Sequence, residues 1–463
     1  MKGLHMHNKH ASFLKTMLAI AIPVTLQNLL FSSLTFVDTL MIGALGDLPL
    51  AAVGMAGKWS WFLGIVLYGC SSGAAVFIAQ YFGAGDERGI HRTYGLMSLL
   101  SVGTALIFTL LAVLIPEKIV GAFTNDPAAV ETGAVYLRIV AFAFPFQAIR
   151  RSTGTLMQST QEVVIPFFSA VASVLTNIVL NALLIFGLCG FPALGIAGAA
   201  IATVAASVMD AAFIHVVGLI KKTALRMPVK NMFAIDRDFV VRYLKIGAPA
   251  FVNEGVWALS YLIYCAIYGH MSTEAYAAIT VVKSIEDLTC VAIFGLGSSC
   301  AVMIGSMIGR GDMDGAKQCA RYHLILTAAL SAVLGLGLAA CRGTVLSLFG
   351  VSDVVRADAS AVMLIFGLEL VFHNLPYMMV CGIFRAGGDT RTGLYVDVVS
   401  AYLIGIPLTA LVGLVLHWSV PATYLVMYLV EDVLKVFVYG RHTLSGRWIR
   451  PVVNFETKEQ EAV

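Results

Sequence analysis

Charged side chains are scarce in this chain. They account for 12% of its 463 residues, whereas hydrophobic residues account for 59%, and the mean hydropathy is +0.86. A soluble globular domain usually carries about 25% charged residues, so this composition excludes an ordinary soluble domain. It predicts a chain that crosses a membrane many times.

Signatures of several other protein classes are also missing. The eight cysteines are scattered without a Cys-x-x-Cys pair or a Cys/His cluster, which argues against a disulfide framework and a structural metal site. There is no His-Glu-x-x-His motif and no paired aspartates, so we expect neither an enzyme nor a bound cofactor. The first apolar run is too long for a signal peptide and lacks a small-x-small cleavage pattern, so it should stay as the first helix.

Twelve apolar segments follow one another along the chain, and each is long enough to cross a bilayer at roughly 20 residues per crossing. They lack the alternating pattern of an outer-membrane barrel, so an all-α membrane protein with twelve transmembrane helices is predicted. The segments are 13–40, 50–82, 93–115, 132–158, 163–187, 194–220, 239–268, 275–308, 319–341, 356–384, 393–416 and 420–440.

The basic residues predict the orientation. With a cytoplasmic N-terminus, 23 Lys and Arg residues fall on the inner side and four on the outer side. Such a bias indicates that both termini are cytoplasmic in a multi-pass protein of the cytoplasmic (inner) membrane. The net charge of +3 therefore reflects topology, and no nucleic-acid partner is expected.

The sequence repeats itself at a shift of 226 residues, which becomes 228 further along. Each half holds six segments, an even number, so both halves enter from the same side and should be related by a pseudo-two-fold axis along the membrane normal. The predicted organisation is an N-lobe at 1–220, a cytoplasmic linker at 221–238, a C-lobe at 239–442 and a cytoplasmic tail at 443–463. Matching pairs are Pro23/Pro249, Gly43/Gly269, Gly83/Gly309, Asp86/Asp312, Phe123/Phe349 and, at the larger shift, Gly154/Gly382 and Leu183/Leu411.

Two short inner loops, GAGDER and GRGDMD, follow the second and eighth segments. Their glycines allow positive φ, which favours tight turns. A phosphate-cradling loop is the alternative, but the P-loop lysine and a preceding strand are missing.

One carboxylate, Asp38, lies in the first apolar run. An acidic side chain deep in a membrane costs about 2.5 kcal/mol or more, so it usually faces a wet cavity or a partner. If Asp38 lies near the outer mouth, it could instead simply cap the end of a helix or keep that end in contact with water. Asn177 and Asn181 are four residues apart on one helix face, and their oxygens suit a hard cation or hydrogen bonds to a carboxylate. Interhelical hydrogen bonding is the structural alternative for this pair.

The motifs resemble those of the multidrug and toxic compound extrusion (MATE) family. They are Pro-x-x-x-Gln at Pro23 and Gln27, Val-Asp-Thr-x-Met-x-Gly around Asp38, the Gly-x-Gly-Asp turns, the turn from Arg385 to Thr390, and Asn-x-x-x-Asn in helix five. The resemblance covers nearly all of the chain and implies a V-shaped antiporter of bacterial type with two six-helix lobes. It would export bulky, often cationic compounds in exchange for Na⁺ or H⁺.

The resemblance also implies a cation-coupling site at Asp38, with Asn177, Asn181 and Thr203 beside it and Na⁺ as the one possible metal ion. Many relatives carry Asp where this chain has Asn181, so a site of two carboxylates is reduced to one. In the alignment of the two halves, Asp38 corresponds to Tyr264, Asn177 to Gly405 and Asn181 to Thr409. Because the second half lacks the polar trio, the cation site is assigned to the N-lobe.

A second set of intramembrane polar and aromatic residues is a candidate for the substrate cavity or for a C-lobe polar cluster. Glu286 and Asp287 follow Lys283 by three and four residues, so a neutralising ion pair within one helix is an equally good interpretation. Glu254 does not align cleanly with the helix-seven glutamate of some relatives. The set is Gln27, Asn253, Glu254, Trp257, Lys283, Glu286, Glu369, His373 and Asn374.

The sequence therefore predicts a monomeric, cation-coupled exporter of amphiphilic small molecules that works within the lipid bilayer. The alternative is a flippase or exporter of lipid-linked or polysaccharide intermediates. A cavity lined by Arg and Lys would favour that alternative, and the predicted helices contain few basic residues.

Overall fold

The structure, a computed structural model, describes residues 2–453, with side chains from 13 to 228 and from 230 to 453. Residues 454–463 of the predicted tail lie outside this part of the chain. Twelve long helices form, as predicted. They are α1 Lys2–Gly43, α2 Asp47–Ala84, α3 Glu87–Leu114, α4 Pro127–Ser159, α5 Val164–Phe186, α6 Ile196–Ile220, α7 Arg237–Met271, α8 Thr273–Gly309, α9 Met313–Leu346, α10 353–387, α11 Thr390–Val415 and α12 420–445.

Most of these helices extend beyond the apolar segments that predicted them. α9, for example, was expected at 319–341 and begins and ends several residues outside that range. Ten helices are long and apolar enough to cross a membrane by length and composition. The other two, α10 and α12, carry acidic and basic side chains within their spans. Short helices at Pro116–Gly121, Leu188–Gly190 and Val229–Met232 lie in the connections.

The winding of four helices changes along their length. α4 contains a tight 3₁₀ turn at Ala141–Ala143. π-helical turns, which are wider, interrupt α10 at Met378–Phe384, α11 at Val398–Gly405 and Leu411–Val415, and α12 at Leu429–Val433. Such π turns are rare and often occur at functional sites.

The Gly-x-Gly-Asp loops are tight turns, which confirms that prediction. Gly85 and Gly311 adopt φ of +71° and +84°, a left-handed conformation that glycine tolerates best. Asp86 then caps α3 and Asp312 caps α9, each accepting a hydrogen bond of 2.8 Å from a backbone N–H three residues later. The cap satisfies an amide that the first helical turn leaves free.

The chain divides into two compact units. The N-unit is Leu26–Ile78 with Asp86–Tyr243, and the C-unit is Leu244–Val463 with Met1–Thr25 and Ala79–Gly85, as far as these are described. Leu63, Leu137 and Phe144 are completely buried in the core of the N-unit. Large apolar side chains remain exposed along the helices; on α3, for example, they are Leu106, Ile107, Leu110 and Leu114. Surfaces of this kind are suited to contact with lipid.

Within the C-unit, the last turns of α2 pack closely on α8. A Cβ atom at Gly83 would overlap the backbone of Ser306, and one at Gly309 would overlap the backbone of Gln80. Small residues let membrane helices approach backbone to backbone. These two glycines are a matched pair of the sequence repeat, and both need their lack of a side chain.

Candidate functional site

The N-unit brings Asp38, Asn177 and Asn181 together. Nδ2 of Asn181 on α5 donates to Asp38 Oδ1 on α1 at 2.6 Å and to Asn177 Oδ1 at 2.8 Å. Asn177 and Asn181 are each 1% exposed, whereas Asp38 is half-buried. No ion pair to Asp38 forms within residues 13–453.

Asn181 has a second feature that bears on ligand binding. Its two donated bonds leave Oδ1 buried and without a hydrogen-bond partner in the described part of the N-unit. A buried acceptor without a partner costs about 1–3 kcal/mol, and carboxylate and amide oxygens are ligands for hard cations. The arrangement can therefore accept a small cation or a proton at Asp38.

Thr203 lies on α6, where its hydroxyl donates to the backbone oxygen of Ala199 at 3.0 Å. Tyr136 on α4 lies close enough to interact with both the Thr203 hydroxyl and the Asp38 carboxylate. Tyr136 was not among the residues chosen from the sequence. Thr203 therefore connects to the trio through Tyr136.

Gln27 does not join the trio. It is 4% exposed, and its Oε1 accepts a hydrogen bond of 3.3 Å from Gln158 on α4. This contact accounts for its burial, and a role in a substrate cavity stays a prediction.

The C-lobe candidates fall into two groups rather than one cluster. In the first, the Arg385 guanidinium at the end of α10 lies 2.6 Å from Glu254 Oε1 and donates to Asn253 Oδ1 at 2.8 Å. Asn253 in turn donates to Asp397 Oδ2 on α11 at 2.7 Å. Arg385 is 6% exposed, so Glu254 neutralises a buried cation.

The second group joins α8, α10 and α12. Lys283 Nζ lies 2.5 Å from Glu286 Oε1 and 3.2 Å from Asp287 Oδ1, so the ion pairs within one helix do form. His373 lies 2.9 Å from Asp432 Oδ2. Glu369 is 7% exposed, and a carboxylate oxygen of it lies within 4.8 Å of His373 and Asp432.

Two candidates lie outside both groups. Asn374 donates to Ser331 at 3.0 Å and lies 3.7 Å from Cys290 Sγ, which explains its burial by contacts between helices. Trp257 is 55% exposed and stacks on Tyr261 at 6.4 Å.

Several charged partners were missed from the sequence. Glu431 accepts a hydrogen bond of 2.8 Å from Tyr264, and Lys435 Nζ lies 2.6 Å from Glu431 Oε1 and 3.3 Å from Asp397 Oδ1. The repeat carries a signal for one of them, because at a shift of 228 residues Glu431 corresponds to Thr203, a candidate site residue. The others give no signal in the sequence beyond being charged within apolar segments.

The family comparison agrees with this architecture. The MatE family model matches residues 23–183 and again residues 249–411. The chain belongs to the MatE family. From one match to the next the first residue moves by 226 positions and the last by 228, the same two shifts that the internal repeat shows.

Two curated relatives of this MatE chain are bacterial proteins. It is 27% identical over 402 residues to the probable multidrug resistance protein YoeA of Bacillus subtilis, covering 84% of each chain. It is 22% identical over 443 residues to the probable multidrug resistance protein NorM of Thermotoga maritima, covering 95% of this chain and 94% of that protein.

Solved structures share the fold. The Vibrio cholerae MATE transporter VcmN matches with a TM-score of 0.86 and 18% identity, over 95% of this chain and 99% of that one. A MATE structure in the straight conformation matches with a TM-score of 0.83 and 18% identity, over 93% and 96%. The fold of twelve membrane helices is therefore the MATE fold.

Proposed function

We propose that this protein is a cation-coupled antiporter that exports amphiphilic, often cationic compounds across the cytoplasmic membrane, with Asp38 as the coupling carboxylate. The observation that carries the proposal is the Asp38–Asn181 contact of 2.6 Å, beside a buried Asn181 oxygen that has no hydrogen-bond partner in the described N-unit. Relatives named as multidrug resistance proteins support the class of substrate.

The coupling cation is Na⁺ or H⁺, and the trio suits either. A proton would neutralise Asp38, whereas Na⁺ would find oxygen ligands on Asp38 and Asn181. Tyr136, which interacts with both Asp38 and Thr203, would add a hydroxyl oxygen beside the site. Linkage is reciprocal: if binding of the cation weakens the affinity for the drug by some factor, binding of the drug must weaken the affinity for the cation by the same factor.

The C-unit groups support a division of roles. Because Glu254 pairs with Arg385, and Glu286 with Lys283, these carboxylates serve first as partners of buried cations. The exposed Trp257 ring offers an aromatic face to a planar cationic substrate by cation–π attraction, whereas the half-buried Tyr261 ring already has the Lys283 ammonium 5.5 Å from its centre. We propose Trp257 as the member of the C-lobe candidate set that contacts substrate.

The deciding experiment is dye uptake into everted vesicles, whose lumen corresponds to the outside of the cell, so that uptake reports efflux; Na⁺ and the pH gradient are varied independently. Asp38→Asn keeps the shape of the side chain and removes its charge, so the variant should insert normally and lose cation-driven efflux. Asp47→Asn, the same substitution at an exposed site in the first turn of α2, is the matched control and should transport normally. Undiminished, cation-dependent efflux by Asp38→Asn would refute the proposal.

Export of lipid-linked intermediates gains no support from the basic residues. The phosphate or carboxylate groups of such intermediates would need Arg or Lys side chains that are not already paired with a carboxylate. Four buried or half-buried cations of the described chain each have a carboxylate partner: Arg150, Lys283, Arg385 and Lys435. We also propose that the protein is a monomer and that both of its termini lie in the cytoplasm. The distribution of Lys and Arg supports that orientation.

A further inference from the structure

The four positions of the N-unit site have counterparts in the C-unit. The two shifts of the repeat recur in the two family matches, so the correspondence rests on the sequence itself. The counterparts of Asp38, Asn177, Asn181 and Thr203 are, in that order, Tyr264, Gly405, Thr409 and Glu431.

The structure gathers these counterparts as it gathers the N-unit residues. The Tyr264 hydroxyl donates to Glu431 Oε2 at 2.8 Å. A Cβ atom at Gly405 would overlap that hydroxyl and lie 3.5 Å from Glu431 Oε2, while Thr409 donates to the Gly405 oxygen at 2.7 Å. A side chain at the position that Asn177 holds in the N-unit would therefore displace the tyrosine hydroxyl from Glu431. Both copies contain one carboxylate, which comes from α1 in the N-unit and from α12 in the C-unit.

The two copies differ in what neutralises that carboxylate. In the C-unit, Lys435 follows Glu431 by one turn, and its ammonium lies 2.6 Å from Glu431 Oε1 and 3.3 Å from Asp397 Oδ1. The lysine is 9% exposed. Its counterpart in the N-unit is the neutral Ser207. An ammonium attached to the same helix is always present at a high effective concentration, so an exchangeable cation cannot compete with it.

We propose that Lys435 is a built-in cation that permanently occupies the C-unit copy of the cation site, so that only the N-unit copy exchanges cations. This inference rests on the proposed function, since it explains why coupling belongs to Asp38. It also identifies a latent site: without the ammonium, the Glu431 carboxylate and the Tyr264 hydroxyl present oxygen ligands to a monovalent hard cation, Na⁺ or a proton.

The test uses the full chain carrying Asp38→Asn, which silences the N-unit site. Lys435→Met removes the ammonium at nearly constant length, Lys435→Arg keeps a charge, and Lys435→Met with Glu431→Gln removes both charges. Thermal unfolding in detergent is measured with Na⁺ exchanged for choline, and at acidic and alkaline pH. Other charged or titratable groups near Glu431 are Tyr264, Glu369, Asp397, Tyr402, Asp432 and Tyr439, and the double variant corrects for them.

Lys435→Met should gain about 2 °C or more in Tm from Na⁺ or from acid, because a ligand that binds only the folded state stabilises it. Lys435→Arg and the double variant should show no such gain. Equal responses of Lys435→Met and the double variant would overturn the proposal. The proposal would also be overturned if Lys435→Met were unfolded in every buffer while the double variant folded. A free cation, supplied as Na⁺ or acid, should replace the missing ammonium and let the single variant fold.

The result is independent of the coupling assignment, since Asp38 is neutral in every protein compared. The proposed function fails separately, if Asp38→Asn alone keeps cation-driven efflux.

Discussion

Asn181 donates to Asp38 and to Asn177 through one amide nitrogen, while its own oxygen is buried without a partner in the described N-unit. One side chain thus orients a carboxylate on α1 and an amide on its own helix. The remaining oxygen is left able to accept a hydrogen bond or to bind a cation.

Exchanging the two groups tests this relationship. Asp38→Asn with Asn181→Asp keeps one carboxylate beside one amide, so it should recover part of the cation-driven efflux that Asp38→Asn alone loses. Asp38→Asn with Asn181→Leu is the control and should recover none, because no carboxylate remains. Efflux rates at several Na⁺ and proton concentrations measure the recovery. Equal rates for the two double variants would show that the position of the carboxylate does not matter.

Glu254 and Arg385 should stabilise the fold as a pair. Glu254→Gln leaves a buried guanidinium without its carboxylate, which typically costs about 3–5 kcal/mol. Removing Arg385 as well, as Arg385→Gln, should restore much of that loss. A double-mutant cycle on the free energy of unfolding measures the coupling. Additive losses, or a Glu254→Gln protein of full stability with altered cation dependence, would instead assign Glu254 to transport.

Gly83 should not tolerate a side chain. Gly83→Val would push against the Ser306 backbone, and relief of such a contact requires the helices to separate, so we expect a clear loss of Tm or of folded yield. Gly64→Val is the matched control on the same helix, because no atom lies within 4 Å of a Cβ there. Detergent-solubilised yield and thermal unfolding compare the two, and equal stability would contradict the close packing of α2 on α8.

Glu162, in the loop between α4 and α5, should make stability depend on pH. Burial raises the pKa of its carboxyl above the ordinary 4.5, although hydrogen bonds from Ala224 and Thr223 oppose this. The folded state therefore holds its proton to higher pH than the unfolded state. Its stabilising contribution is complete below pH 4.5 and is lost as the pH rises through the raised pKa.

Glu162→Gln should remove that dependence and raise Tm at neutral pH, measured by thermal unfolding across the same range. Glu131→Gln, on an exposed turn of α4, is the control and should leave the pH profile unchanged. A wild-type Tm that rises with pH in this window would reverse the assigned sign.

The fold could be predicted largely from the sequence, because long apolar runs permit only helices in lipid and the repeat fixes how many belong to each half. Asp38, Asn177 and Asn181 could be chosen because a polar residue in such a run stands out and a spacing of four places two of them on one face. Their contact was a reasonable expectation, and their role in coupling stays a proposal.

The C-unit network could not be predicted, since it depends on which helices meet. Asn253 and Glu254 are adjacent to each other in sequence but far from Arg385 and Asp397, and only the packing of α7 against α10 and α11 brings them together. Lys435 looks like an isolated charge in a membrane helix until Glu431 and Asp397 are found beside it.

The change of winding in α4 and α10 bears on how the two halves diverged. Their N-caps, Asp126 and Ser352, are 226 residues apart, yet the last residues of the two helices, 159 and 387, are 228 apart. α10 is thus two residues longer; α4 contains a 3₁₀ turn at Ala141–Ala143, and α10 contains a wider π turn at Met378–Phe384, further along the helix than the position that corresponds to the 3₁₀ turn. Insertions in the middle of a span can therefore be absorbed as extra residues per turn. After a gene duplication, such insertions would change which side chains a helix presents to its neighbours in one half, while the loops at both membrane surfaces would keep their positions.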